Sequence, residues 1–384
     1  MSSNESIGER LATLVAQVSV DPASFVRELG LPASITFEDV CDGTFTLDAS
    51  DIVAASDILD VPIPVLTGDV PVAGHLGVSL RLGLVGDREQ TPEAALSFAD
   101  RVLSHMDVLD AVLGPAAREA HPPMSTHSYG KRAGRDSADR IRRSRKLGRD
   151  PVSDLVGLVE SYGFPVIFQE LPEGLHGMNV RDQRSGSVRR VIVISTRGTW
   201  PMQRYTLAHE LCHALFDDAG QVIFDHLEEP DAMEEARAES FARELLLPSA
   251  ALRNEVTTRG LGPRSMSERW LRAVPDLMLR WGISRRALVR SLIEERHAAE
   301  AALADVMNLS VRESIERAGL TEQWSMMCGS EHLPSGSPML TERAVQAFGH
   351  GHVSVRFVAE VLDRDVESTA SDLASAGWLE PVRS

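Results

Sequence analysis

Apolar residues along this chain recur mostly three and four positions apart, the spacing of one helix face, and run together or alternate in only a few short stretches. The first seventy residues break into four short helical segments, each with its own punctuation. Ile7 to Val18 is the first. Asp21-Pro22 offers an N-cap and a proline at the first helical position, opening a second that runs to Leu29-Gly30. Pro32-Ala33-Ser34 opens a third that stops at Asp42-Gly43, and Leu47-Asp48-Ala49-Ser50 opens a fourth, with Ile52, Val53, Ala55, Ile58 and Leu59 at helical spacing. Residues 71–118 read as further helix, above all Pro92 to Leu113. Ser137 to Leu147 and Val152 to Ser161 read as helices, and Pro165 to Phe168 as a short strand. Val188 to Ser195, VRRVIVIS, is dense in β-branched residues and is the strongest strand in the chain. Helical spacing returns over 204–216 and again from Glu235 until Pro248 ends it. LMLRWGISRRALVRSLIEE then reads helix, Gly-Ile-Ser turn, helix, and TERAVQAF and VSVRFVAEVLDRDVESTASDLASAGW close the chain as an amphipathic pair. These elements predict an α+β protein that is mostly helical with a small sheet.

Composition changes this picture little; the distribution of charge changes it more. The 384 residues are 43% hydrophobic and 25% charged, with room for two or three cores. The formal charge of −17 makes the whole molecule repel polyanions, so any nucleic-acid contact has to be local. Residues 1–70 hold twelve acids against Arg10 and Arg27, a net of −10. Residues 121–150 carry nine basic side chains against three acids, and the uncharged, turn-forming HPPMSTHSYG places a linker near 119–130. The expected organisation is therefore 1–70, a connector over 71–130, a central domain over 131–250 and a helical region over 251–384. No uncharged run approaches the ~18 apolar residues of a membrane helix, and MSSNESIGER lacks the basic and apolar regions of a signal peptide. A cytoplasmic protein with no membrane partner is expected. Cys41, Cys212 and Cys328 are too few and too scattered for a disulfide framework.

The stretch that carries chemistry is Arg204 to Phe216, RYTLAHELCHALF. At ~100° per residue, His209 and His213 lie about 40° apart and one turn along, so both imidazoles can reach one tetrahedral ion. Glu210 falls in the same arc, offset enough to miss the metal and close enough to hold a water and take its proton. The plainer interpretation is two histidines on an amphipathic helix, and a third ligand separates the two. The helix EARAESFARELLLP follows, presenting Glu235, Ala238, Glu239, Ala242 and Leu246 on one face. Alanines at 238 and 242 permit close approach to a neighbouring helix, which leaves Glu235 and Glu239 as candidate third ligands. Glu235 also lies in the acidic run with Glu228, Glu229, Asp231 and Glu234, where a solvated face is the ordinary outcome.

Two resemblances follow from these motifs. QRYTLAHELCHALF followed by EARAESFARELLLP resembles the ImmA/IrrE family of HExxH metallopeptidases over about residues 135–250. That resemblance implies a zincin-like catalytic domain flanked by helical domains, with zinc bound by His209, His213 and Glu235 and with Glu210 as general base. It implies a protein substrate, a repressor cleaved in a stress or mobile-element response. Glu239, where the family more often has asparagine, would orient His209 or His213 from outside the ligand set. Cys212 stands in place of the usual glycine, a packing position or a redox switch. The four N-terminal helices with ILDVPIPVLTGD resemble a Cro/repressor-type helix-turn-helix domain. There the electrostatics depart from the family, since LPASITFEDVCDGTF presents Glu38, Asp39 and Asp42 with no cation for the phosphates. A protein-contact module is expected of 1–70. Residues 264–297, with eight arginines against four acids, are a better electrostatic candidate for DNA, beside the plainer reading of a helical extension packed on the catalytic domain.

An extended substrate commonly adds to a sheet edge, and VRRVIVIS precedes the active-site helix closely enough to supply one. His176, Tyr205 and His226 are candidates for stabilising an oxyanion. The rival function is a DNA-binding transcription regulator whose metal site is sensory or structural; a third is a module that captures a repressor by contact alone.

Overall fold

The computed structural model describes residues 7–17, 21–32, 34–59, 66–67, 76–82, 93–122, 124, 130–182, 188–217, 232–328 and 336–377. The N-terminal helices are α1 (Ile7–Gln17), α2 (Pro22–Glu28), α3 (Phe37–Cys41) and α4 (Ala49–Leu59). Strand β1 (Leu76–Leu82) and helix α5 (Glu93–Leu113) follow, then α6 (Gly130–Ser144), α7 (Leu155–Ser161), β2 (Val166–Gln169), β3 (Leu175–Asp182) and β4 (Arg189–Ser195). Next come α8 (Trp200–Phe216), α9 (Ala232–Leu246), α10 (Ser249–Thr258), α11 (Ser267–Trp281), α12 (Arg285–Glu294) and α13 (Glu300–Asn308). The chain ends through α14 (Val311–Ala318), α15 (Thr321–Cys328), α16 (Pro338–Gly349), α17 (Val355–Leu362) and α18 (Val366–Ser375). The fold is α+β, mostly helical around one small sheet. No helix among the described residues is long and apolar enough to cross a membrane.

The four strands lie in the order β1-β3-β4-β2; β4 is antiparallel to β3 and parallel to β2, and β1 is antiparallel to β3. A continuous run of β-branched residues suits a strand covered on both faces, and β4 is buried along its whole length. Its alternation divides two cores. Ile192 and Ile194 join Leu207, Leu211, Phe241 and Trp270 in a core built with α6 to α13. Val191 and Val193 face the other way, where Leu103, Met106 and Leu109 of α5 meet Leu340 of α16 and Val358 of α17. Each such side chain contributes ~1.5–3 kcal/mol by leaving water.

The C-terminal helices therefore return to the back of the sheet. Arg343 on α16 donates to Asp110 Oδ1 at 2.7 Å and to the Leu109 carbonyl at 3.2 Å. Glu160 on α7 accepts from the Met339 N–H at 2.8 Å, the Val166 N–H at 3.2 Å and the Ser337 hydroxyl, which itself caps α16.

Several expectations change. The run 71–118 is not helical throughout, because 76–82 pair with β3 as a strand. Strand β3, LHGMNVRD, has neither a β-branched run nor clean alternation, so its pairing partners specify it more than its own residues do. Helix α6 begins at Gly130, ahead of the expected start at Ser137. Helix α3 is only five residues long, and Asp39 closes a capping box with Thr36, so that carboxylate fastens its own helix. The arginine-rich segment, by contrast, has the expected form of helix, turn and helix, α11, Gly282-Ile283-Ser284 and α12, and packs as an extension with Trp270, Leu277, Leu288 and Leu292 fully buried. Its guanidinium groups are partly engaged within the fold: Arg285 donates to the carbonyls of Val306 and Leu309, Arg280 pairs with Glu255, and Arg290 with Glu239 and Glu294.

Candidate metal centre

Helix α8 lies in the first core, with every residue from Tyr205 to Phe216 buried. An amphipathic surface helix would leave one face wet, so this environment argues against the plainer interpretation of His209 and His213, which are 2% and 3% exposed. Glu210 is 1% exposed. Two features seat the helix on the sheet. A Cβ at Gly177 of β3 would come 2.6 Å from Thr206 Cγ2, so the glycine lets α8 approach β3 closely. At its C-terminus the chain turns left-handed at Asp217 (φ 61°), whose carboxylate pairs with Arg181 of β3 at 2.8 Å and with Arg190 of β4.

Glu235 comes from the first turn of α9. That helix packs along α6, and the contact is close at Gly134. A side chain there would overlap the Arg237 carbonyl oxygen and Ser240 Oγ and would lie 2.9 Å from the Phe241 nitrogen. Ser240 donates to the Lys131 carbonyl at 2.7 Å across the same interface. Ala238 and Ala242 are fully buried, as their small size requires.

This packing brings three donor atoms together. His209 Nε2 and His213 Nε2 are 3.0 Å apart, and each is 3.3 Å from a different oxygen of Glu235. Bonds of ~2.0–2.1 Å at tetrahedral angles separate ligand atoms by ~3.3 Å, close to each of these spacings, so the two nitrogens and the Glu235 carboxylate fit around one ion. These residues form the candidate metal-holding group of three among the described residues. Burial works against ionisation of Glu235, but hydrogen bonds and charge from His209 and His213 outweigh it and hold the carboxyl well below the usual range. The carboxylate is thus the form available as a ligand.

Glu239, one turn along α9, directs its carboxylate to Arg290 of α12. Its carbonyl accepts from the Tyr205 hydroxyl at 3.4 Å. Tyr205 is buried one turn before His209, and His176 lies half-buried on β3. His226 and the acids 228, 229 and 231 lie outside the described residues. Cys212 is fully buried in the first core. Strand β4 cannot offer an edge, because β3 and β2 pair on its two sides.

A feature the sequence did not announce is a charge hub at Glu294, which gathers Lys131 at 2.7 Å, Arg243 at 2.9 Å, Arg290 at 3.2 Å and Arg135 at 3.7 Å. It ties α6, α9 and α12 into one block. The basic helix pattern of α6 was its only trace in the sequence.

Residues 159–292 match the family model of the IrrE N-terminal-like domain, Peptidase_M78. The match takes in about a third of the chain. No curated protein and no solved structure matches. The Peptidase_M78 segment holds β2, β3, β4, α8 and α9 with all three donor residues, and it ends within α12. It supports a metallopeptidase-like regulatory protein and a bound metal.

Proposed function

We propose that the chain is a zinc-dependent endopeptidase with a regulatory role. The observation that carries this reading is the convergence of His209, His213 and Glu235 at ligand spacing, with Glu210 buried beside His209 on the same helix. Two nitrogens and one carboxylate oxygen in a tetrahedral set favour zinc and leave a fourth position open. Bound zinc would supply Lewis acidity, lowering the pKa of water toward ~7. Glu210 takes the water's proton at its carboxylate and returns it to the leaving amine. The remaining residues keep the ligand set in place: α8 is seated by Gly177 and Asp217, and α9 by Gly134 and the Glu294 hub. Tyr205 and His176 are the described candidates for holding the oxyanion.

The substrate is proposed to be a protein, and specifically a repressor whose cleavage releases transcription. Cytoplasmic action fits that substrate. The domain limits 1–70, 71–130, 131–250 and 251–384 belong to the same proposal, with residues 1–70 as a protein-contact module.

The test uses Glu210→Gln and wild-type protein from matched preparations. Both should carry about one zinc by elemental analysis, and the variant should lose at least ~100-fold in cleavage of a repressor encoded beside this gene, the scale of general-base catalysis. Full zinc occupancy with no cleavage of any repressor by wild-type protein would favour the sensory regulator instead.

A further inference from the structure

Strand addition needs an edge whose backbone N–H and C=O groups are open. Within the segment 159–292 the sheet is β3-β4-β2, so its two edges are β3 and β2. Strands β3 and β4 are the ones that lie on the helix bearing His209 and His213, whereas β2 packs with α7. Gly177 of β3 touches that helix at Thr206, three residues before His209. The outer edge of β3 is thus the edge that runs beside the metal centre.

That edge is occupied. Residues 76–82, from outside the matched segment, pair antiparallel along it from Leu76↔Asp182 to Leu82↔Leu175. Arg81 pairs with Gly177 and Leu82 with Leu175, so His176 is the extra residue of a bulge next to the metal-bearing helix. Bulges of this kind re-aim a side chain at a site. The occupying sequence, LGVSLRL, has apolar residues at every second position.

We infer that the outer edge of β3 is the substrate-binding edge, that it takes an extended polypeptide segment with apolar residues at alternate positions, and that residues 76–82 occupy it as an internal competitor. This rests on the peptidase reading for its catalytic consequence, though not for binding. A segment tethered to its own site acts at an effective concentration of about millimolar, so a substrate at micromolar levels competes poorly until β1 is displaced. Substrate capture and release of 76–82 are then one exchange of backbone hydrogen bonds.

The experiment compares the full-length zinc-loaded protein with Ser79→Pro/Leu80→Pro. Neighbouring strand residues point their N–H groups to opposite sides, so one of the two prolines removes a bond to β3 in either phase of the ladder. The probe is the fluorescein-labelled peptide Leu-Gly-Val-Ser-Leu-Arg-Leu. The variant should bind it at least tenfold more tightly than wild type and should cleave an unfolded protein substrate at least tenfold faster. Equal or weaker peptide binding by the variant, with fold and zinc content intact, overturns the inference. If the variant does not fold, hydrogen exchange on the wild-type chain decides. There the peptide should deprotect the amides of 76–82 while 175–182 stay protected, and unchanged protection of 76–82 at about millimolar peptide overturns it. Tighter peptide binding without hydrolysis by either protein keeps the edge assignment and sinks the peptidase reading.

Discussion

Two glutamates, half-buried Glu235 at the candidate metal centre and buried Glu160 where the C-terminal helices rejoin the body, are shifted in opposite directions although burial pushes both the same way. Both lose water. Around Glu235 the neighbours are two imidazoles that can carry charge, and their hydrogen bonds and charge overcome the burial penalty and keep the carboxyl ionised. Around Glu160 the donors are the Ser337 hydroxyl and the N–H groups of Val166 and Met339; burial outweighs these neutral dipoles and pushes the carboxyl up. One residue type thus serves two ends. Convergent groups that could themselves be ligands make a candidate cation site, whereas neutral donors at the start of α16 make a fastening between segments distant in sequence.

The contrast breaks most sharply if metal is held elsewhere. His209→Ala, His213→Ala and Glu235→Ala should each lower zinc affinity by more than the ~10–100-fold typical of outer partners, read by competition with a chromophoric chelator. The same assay on Glu160→Ala should show no change. If Glu235→Ala kept its zinc while Glu239→Ala lost it, the ligand would lie one helical turn further along.

Gly134→Ala tests whether Glu235 depends on the approach of α9 to α6. Its methyl group would meet backbone, which cannot rotate away, so the loss should be about 3 kcal/mol, the upper end for overpacking. Zinc affinity should fall with it, measured beside denaturant unfolding.

Glu160→Ala removes the acceptor from three donors and should cost about 2 kcal/mol of stability, since donors left buried without partners lose their hydration uncompensated. Its zinc content should match wild type. A metal-depleted Glu160→Ala protein would mean that the two regions are coupled and that the contrast is false.

The smallest effect is a pH dependence. The folded-state pKa of Glu160 is raised, so its contribution to stability is full below the ordinary glutamate range and declines as pH rises through the raised value. The advantage of wild type over Glu160→Gln should therefore shrink as pH rises above the ordinary glutamate range. Unfolding midpoints at three pH values measure it. An advantage that grows with pH would mean that neutral donors, not burial, set the ionisation of Glu160.

Much of the candidate metal centre was legible because its information is local. The four-residue separation of His209 and His213 puts them on one helix face whatever surrounds the helix, and Glu210 follows from the same geometry. The β-branched run of β4 announced a buried strand, and Pro248 marked the end of α9. The choice between Glu235 and Glu239 was not local. They share a face of α9, and only the height at which that helix crosses α8, set by Gly134 and the α6 contact, brings Glu235 to the histidines and leaves Glu239 with Arg290. Strand β3 was hidden because hydrogen bonding to distant partners, more than its own residues, makes it a strand; β1 carried a local signal in the alternation of Leu76, Val78, Leu80 and Leu82, which the helical expectation for 71–118 overlooked. The Glu294 hub and the Glu160 fastening were hidden because each joins residues far apart in the chain. Helical periodicity and ligand spacing are properties of a few consecutive residues, so the sequence alone determined the helix that carries the candidate ligands His209 and His213. Which carboxylate completes the site, which edge runs beside it and what covers that edge are set by contacts between elements, and only the tertiary structure decided them.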